Sequence, residues 1–124
     1  MADNRYVMKR SENGNVEISI DVISTIIGIA ALKVEGVGSL GAGINASNVE
    51  KQTGKALQKT IRIYKNDDAA ISVDIALNLK FGSEIMDVVP DVQEKVKETM
   101  LDMLGIEIEN INIRIVGIDT EESE

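Results

Sequence analysis

The feature that most constrains the fold of this 124-residue chain is a strict alternation of apolar and polar side chains from Ile71 to Phe81. The apolar positions are Ile71, Val73, Ile75, Leu77, Leu79 and Phe81. The positions between them are Ser72, Asp74, Ala76, Asn78 and Lys80. A period of two residues is typical of a β-strand with one face against the core. The sequence therefore predicts a half-buried strand with an open polar face.

Shorter patterns on either side predict further strands. Thr60–Lys65 alternates in the same way, and Asn66-Asp67-Asp68 provides turn residues, so this segment and the long strand should pair as a hairpin. Val16–Ile20 predicts an earlier strand, and Ile111–Ile115 predicts the last one.

Two helices are expected between the strands. The first should run from Val22 to Lys33 with Asp21 as its N-cap. It is apolar on more than one side, which predicts burial on most sides or contact with another subunit, and hence a homo-oligomer. The second should cover Ser83–Leu104, with Ser83 as N-cap and Gly105 as terminator. Pro90 should either kink this helix or mark a start near Val89.

These elements predict an α/β (α+β) fold with two layers. We expect a mixed sheet of about four strands with two main helices on one face. The order should be strand, helix, short helix or loop, strand, strand, helix, strand, with the short helix near Val49–Gly54. Residues 1–13 are interpreted as a flexible arm, residues 14–118 as a single domain, and residues 119–124 as an acidic tail.

Composition excludes several kinds of chemistry. The chain has no cysteine and no histidine, so it has no disulfide, thiol catalyst, Cys-based zinc site or Ser-His-Asp triad of its own. We predict no enzymatic activity, cofactor or metal. The longest uncharged apolar run, Val22–Leu32, is shorter than the roughly 20 residues that span a bilayer, and no signal peptide is recognised. We therefore expect a cytoplasmic protein that does not insert into the membrane.

Charge is unevenly distributed. The net charge of −8 disfavours nucleic acid and anionic lipid as partners. One stretch nevertheless carries basic residues without acids among them: Lys51, Lys55, Lys59, Arg62 and Lys65. Such a stretch is usually a solvated face. The alternative is a patch that docks an anionic ligand or an acidic partner.

A glycine-rich segment, Gly36–Gly43, is predicted to be a loop. It matches the G-x-G-x-x-G pattern, but it follows a predicted helix rather than a strand, which disfavours dinucleotide binding. Gly38–Gly41 also matches the GXXG loop of RNA-binding KH domains, which requires a helix on each side. A KH-like module that binds nucleic acid or an anionic ligand is therefore kept as the alternative function.

An ordered set of short segments over residues 14–118 resembles the alkaline-shock, or general-stress, protein family of Gram-positive bacteria. The segments are Gly14–Ser19, Val22–Ile23, Glu35–Val37, Val73–Ile75, Phe81–Gly82, Val92–Lys97, Met103–Ile106 and Ile111–Ile113. The chain departs from the family at Leu104, where threonine is more common.

The resemblance implies no catalytic residues and no cofactor. It implies a non-catalytic cytoplasmic interaction protein in the cell-envelope stress response and in lipid and envelope homeostasis. It further implies a link to fatty-acid synthesis and association with the membrane through a membrane-anchored protein partner.

Overall fold

In the computed structural model, the alternating segment forms the central strand of a four-stranded sheet. The structure describes residues 5–45, 47–49, 54–66 and 70–120. The elements are β1 (Tyr6–Ser11), β2 (Gly14–Ser19), α1 (Ile20–Leu32), β3 (Val37–Leu40), a 3₁₀ turn (Gly41–Gly43), α2 (Gly54–Leu57), β4 (Ile61–Lys65), β5 (Ile71–Lys80), α3 (Ile85–Leu104) and β6 (Ile108–Asp119).

Strand β5 organises the sheet because both of its edges are paired. Strand β6 lies parallel to β5 along its whole length. On the other edge, β4 pairs antiparallel with the first half of β5, and β3 pairs antiparallel with the second half. The predicted β4–β5 hairpin and the mixed sheet are therefore confirmed. Strands β1 and β2 form a separate two-stranded sheet.

The apolar face of β5 is the centre of the core. Its residues are Ile71, Val73, Ile75, Leu77 and Leu79, each at most 1% exposed. Complete burial of an aliphatic side chain contributes about 1.5–3 kcal/mol, so this face is a main source of stability. Phe81 was expected to continue the row, but it is 77% exposed. The strand ends at Lys80, and Phe81 and Gly82 form a turn, so Phe81 no longer follows the pleat.

Helix α1 begins two residues earlier than predicted. The Ser19 hydroxyl, and not Asp21, caps it by accepting hydrogen bonds from the main-chain N–H groups of Asp21 and Val22. The helix packs against α2, α3 and the sheet, and Ile23 and Ile27 are fully buried. Its apolar sides are thus covered mainly within the chain. Self-association was expected because this helix is apolar on more than one side. Since these sides are covered mainly within the chain, self-association is not needed to bury them.

Helix α3 also begins differently from the prediction. Glu84 occupies the N-cap position without a side-chain hydrogen bond, whereas the Ser83 hydroxyl donates to the carbonyl oxygen of Gly36 at 3.4 Å. Pro90 is the sixth residue of the helix, so a helix start near Val89 is wrong. Gly105 terminates the helix in the left-handed conformation, with a φ of 66°, as predicted.

The N-terminal and glycine-rich segments contain strands that the sequence analysis missed. Residues 6–11 of the expected flexible arm form β1, which pairs antiparallel with β2. Four of the residues in Gly36–Gly43 form β3, so this segment is not simply a loop. A short helix was expected near Val49–Gly54; residues 50–53 lie outside the described residues, and α2 is present at Gly54–Leu57. Asp119 ends β6, and residues 121–124 of the expected acidic tail lie outside the described residues.

Candidate functional site

The polar face of β5 lies on the side of the sheet opposite α1 and α3; its side chains from Ser72 to Asn78 are half-buried, and Lys80 is exposed. Cross-strand neighbours extend this open face on both sides. The pairs on the β4 side are Arg62–Asp74 and Tyr64–Ser72, and those on the β6 side are Asn110–Ser72, Asn112–Asp74 and Arg114–Ala76. Residues that are distant in sequence are thus brought onto one rigid surface.

A groove of about 560 Å³ crosses the middle of this open face. We call it the basic groove and define its polar lining as Lys59, Thr60, Arg62, Tyr64, Asp74, Asn112 and Arg114. Its cations come from three places: the turn before β4, β4 itself and β6. Because two of these positions lie in paired strands, the main-chain positions of Arg62 and Arg114 are fixed by the sheet.

The charges in the basic groove are not balanced. Its single carboxylate, Asp74, accepts a hydrogen bond from the Asn112 side-chain amide at 2.9 Å. Among the residues that the structure describes, Lys59, Arg62 and Arg114 form no ion pair with a carboxylate. The groove is therefore a local positive region on a chain of net charge −8, and it attracts anionic groups.

The structure separates the five basic residues that the sequence grouped. Lys59 and Arg62 line the basic groove. Lys65 lies elsewhere, because its ammonium group donates to the main-chain oxygen of Tyr6. Lys51 and the side chain of Lys55 lie outside the described residues.

Arg114 was not among the predicted site residues. It enters the site because β6 lies parallel to β5 and its open-face side chains meet those of β5. The available signal was the alternation of Arg114 with Ile113 and Ile115 on a predicted strand. That alternation predicts on which face of the sheet Arg114 lies, but it does not predict which strand pairs with the strand that carries Arg114.

A second polar cluster lies at the far end of the open face. The Ser39 hydroxyl donates to the Asp119 carboxylate at 2.8 Å. The Asn78 amide donates to the Ser39 hydroxyl at 3.0 Å and to the main-chain oxygen of Leu40 at 3.1 Å. These bonds join β3, β5 and β6. Each of these bonds connects two different strands, so the cluster holds the three strands together.

Among the described residues, the GXXG motif does not form a nucleic-acid site and the acidic side chains do not form a metal site. The GXXG motif Gly38–Gly41 lies in β3 and the start of the 3₁₀ turn, so the helix–loop–helix arrangement of a KH domain is wrong. No group of three or more acidic residues is arranged to hold a metal ion within residues 5–45, 47–49, 54–66 and 70–120. In the same ranges, no helix has both the length and the apolar character needed to cross a membrane.

Comparison with known proteins confirms the resemblance found in the sequence. The model of the alkaline-shock protein family, described as having a "cell envelope-related function", matches residues 8–120. This range includes all four strands of the main sheet and both long helices.

Several curated relatives are similar over nearly the whole chain. The uncharacterized protein YqhY of Bacillus subtilis is 38% identical over 130 aligned positions, which cover 100% of this chain and 95% of the relative. The uncharacterized protein Spy1535 of Streptococcus pyogenes is 32% identical over 110 positions, which cover 89% of this chain and 83% of the relative. No solved structure matches the chain significantly.

Proposed function

The chain belongs to the alkaline-shock protein family, and from this membership we propose that it is a non-catalytic interaction protein in the cell-envelope stress response and in envelope and lipid homeostasis. Its proposed partner is a membrane-anchored protein with an acidic cytoplasmic surface. The chain would then be cytoplasmic and would associate with the membrane through that partner. The observation that carries this proposal is the basic groove on the open sheet face.

Three features of the basic groove favour a protein as the partner. The groove is on a sheet face rather than in a deep cleft, and a broad open face suits a second macromolecule. Its cations include two arginines, which bind carboxylates through paired hydrogen bonds. Tyr64 lies beside Arg62 on the same face and is half-exposed, and tyrosine is enriched at protein interfaces.

The absence of catalysis is supported by the residue types at the site. The chain supplies neither histidine nor cysteine, and the acidic side chain of the basic groove is bonded to an amide. The remaining lining residues are cations, hydroxyls and amides, which recognise a partner without providing a matched acid and base.

A charge-reversal experiment tests the proposal. Arg62→Glu and Arg114→Glu are combined in one tagged chain, which is expressed at native level in its own cells. The matched control is Lys95→Glu with Lys97→Glu, because both lysines are exposed on α3 and the change in net charge is the same. Proteins that purify with each variant are quantified by mass spectrometry.

We expect a membrane-anchored protein with an acidic soluble region to purify with the unmodified chain and with the α3 control, and to be lost with the groove variant. Its binding should weaken as salt is raised, because partly exposed charges are screened. Equal recovery with both variants would contradict the proposal. Loss of RNA or of a small anionic ligand, instead of a protein, would support the alternative of an anion-binding module.

A further inference from the structure

We infer that the outer edge of β6 pairs antiparallel with β6 of a second copy of this chain, so that two four-stranded sheets join into one continuous sheet. The inference does not depend on the proposed envelope partner. Strand β6 pairs with β5 on one side and with no described strand on the other. An uncovered edge strand presents main-chain donors and acceptors that another strand can satisfy.

The hydrogen bonds show which main-chain groups face outward. The N–H of Ile71 donates to Glu107 on the β6 side, and the N–H of Ala76 donates to Thr60 on the β4 side. Odd-numbered residues of β5 thus bond to β6. In a parallel ladder these bonds engage even-numbered β6 residues up to the bulge, so Ile111, Ile113 and Ile115 direct their N–H and C=O groups away from β5.

A side chain of α3 confirms this direction at one position. The Gln93 amide donates to the main-chain oxygen of Ile111 at 2.9 Å. That oxygen has a second lone pair and can accept another hydrogen bond. The register with β5 is irregular before Asn110 and after Ile115, so the regular part of the edge is centred near Ile113.

One antiparallel register matches this edge to itself. With a twofold axis at Ile113, Ile113 faces its own copy and Ile111 faces Ile115 of the second copy. On the open face, Asn112 faces Arg114 of the second copy, so no like charges are directly opposed. A register centred on Asn112 would instead place Ile115 opposite Glu109. The apolar pairs therefore favour the axis at Ile113.

The surface beside the edge would accommodate the second strand. A groove of about 560 Å³ lies between α3 and β6, and its lining combines the apolar Pro90, Leu101, Ile108 and Ile111 with five polar or charged side chains. Leu101 and Ile118 are each about half-exposed. In the proposed register Ile118 lies opposite Ile108 of the second copy, and the isoleucines on the helix side of the second β6 enter the groove. Self-pairing thus covers apolar surface that the single chain leaves open.

The absence of cysteine makes the register directly testable by disulfide cross-linking. Two differently tagged chains carry Asn112→Cys and Arg114→Cys, and they are mixed and oxidised. The two positions form a non-hydrogen-bonded pair with a Cα–Cα distance of about 4.5 Å, which a disulfide can bridge. Two copies of Asn112→Cys would be separated by about 8 Å, which is too far. Asn15→Cys on the exposed hairpin is the control for random collision.

We expect cross-linked dimer in the mixed sample well above both the Asn112→Cys sample and the hairpin control. Sedimentation equilibrium of the unmodified chain should give twice the monomer mass of 13.5 kDa at micromolar concentration. Ile113→Pro should restore the monomer mass, because it removes an outward N–H that β5 does not use. A monomeric unmodified chain overturns the inference. So does a dimer that cross-links through Asn112→Cys alone or through neither β6 position. The cysteine pair decides even if Ile113→Pro fails to fold.

Discussion

Gly36 should be among the glycines least tolerant of substitution, because two independent effects act at this position. Its φ is 100°, a conformation that residues with a side chain rarely adopt. A Cβ atom added there would also lie 2.6 Å from Cγ2 of Val88 on α3. Gly36 joins the end of α1 to β3, and its carbonyl oxygen accepts from the N–H of Lys80. A shift at Gly36 therefore disturbs the place where β5 ends and α3 begins.

The two effects have separable magnitudes. The left-handed conformation costs a residue with a Cβ about 1–2 kcal/mol. Overpacking against a buried side chain typically costs a further ~1–3 kcal/mol. Gly36→Ala should thus lower the free energy of unfolding by about 2–5 kcal/mol. Gly82→Ala is the matched control: Gly82 has a φ of 94° and no atom within 4 Å of an added Cβ. It should lose only about 1–2 kcal/mol.

The assay is urea unfolding followed by far-UV circular dichroism, since the chain has no tryptophan. Val88→Ala removes the Cγ2 atom that an added Cβ would contact, so the double variant with Gly36→Ala should recover about 1–3 kcal/mol relative to the sum of the single changes. Equal losses for Gly36→Ala and Gly82→Ala, or additive behaviour of the Gly36 and Val88 changes, would mean that the contact with Val88 does not destabilise Gly36→Ala.

Three further changes test the structure by the same unfolding assay. Ser24→Ala should leave the free energy of unfolding unchanged or raise it by up to about 1 kcal/mol. The reason is that the buried Ser24 hydroxyl has no hydrogen-bond partner among the described residues. A clear decrease in the free energy of unfolding would contradict this. Asn78→Ala should lower it by about 1–3 kcal/mol, because the amide bonds Ser39 and Leu40 across two strands; a loss below about 0.5 kcal/mol would remove the cluster's structural role. Arg62→Gln combined with Arg114→Gln should change it by less than about 0.5 kcal/mol per substitution, since neither arginine pairs with a described carboxylate and glutamine places no new charge opposite Asp74; a larger loss would mean that the two arginines stabilise the fold.

The main sheet could be predicted from sequence because its strands carry strong alternation. In β5 every second residue is both apolar and buried, so the alternation in the sequence matches the alternation in burial. The N-terminal hairpin was missed for the opposite reason. In β1 only Val7 is buried, and the rest of the strand is exposed, so its sequence resembles a polar arm. The strand is recognised only in the folded structure, where Val7 is buried and β1 pairs with β2.

Helix starts were predicted in the right region with the wrong capping residues. Ser19 and Asp21 are both good N-cap types two positions apart, and local sequence does not decide between them. At α3 the Ser83 hydroxyl bonds Gly36, which is distant in sequence. The side chain that local rules assign to the N-cap of α3 therefore forms a long-range hydrogen bond instead.

The candidate site was only partly predictable, because it depends on which strands are neighbours. Lys59 and Arg62 were identified from a run of basic residues, but Lys65 belongs to the other side of β4. Alternation along β4 already separates Arg62 from Lys65, so the sequence held that signal. The contribution of Arg114 required the parallel pairing of β5 and β6, which no local pattern encodes.

If the open sheet face binds a protein through the basic groove, in-cell photo-cross-linking from that face should capture the protein. Benzoylphenylalanine replaces either Tyr64 on the open face or Val22 on α1, which are 47% and 48% exposed. We expect an adduct with an acidic, membrane-anchored protein from position 64, none from position 22, and loss of the adduct when Arg62→Glu and Arg114→Glu are added. The same adduct from both positions, or an adduct at position 64 that survives charge reversal, would contradict this expectation.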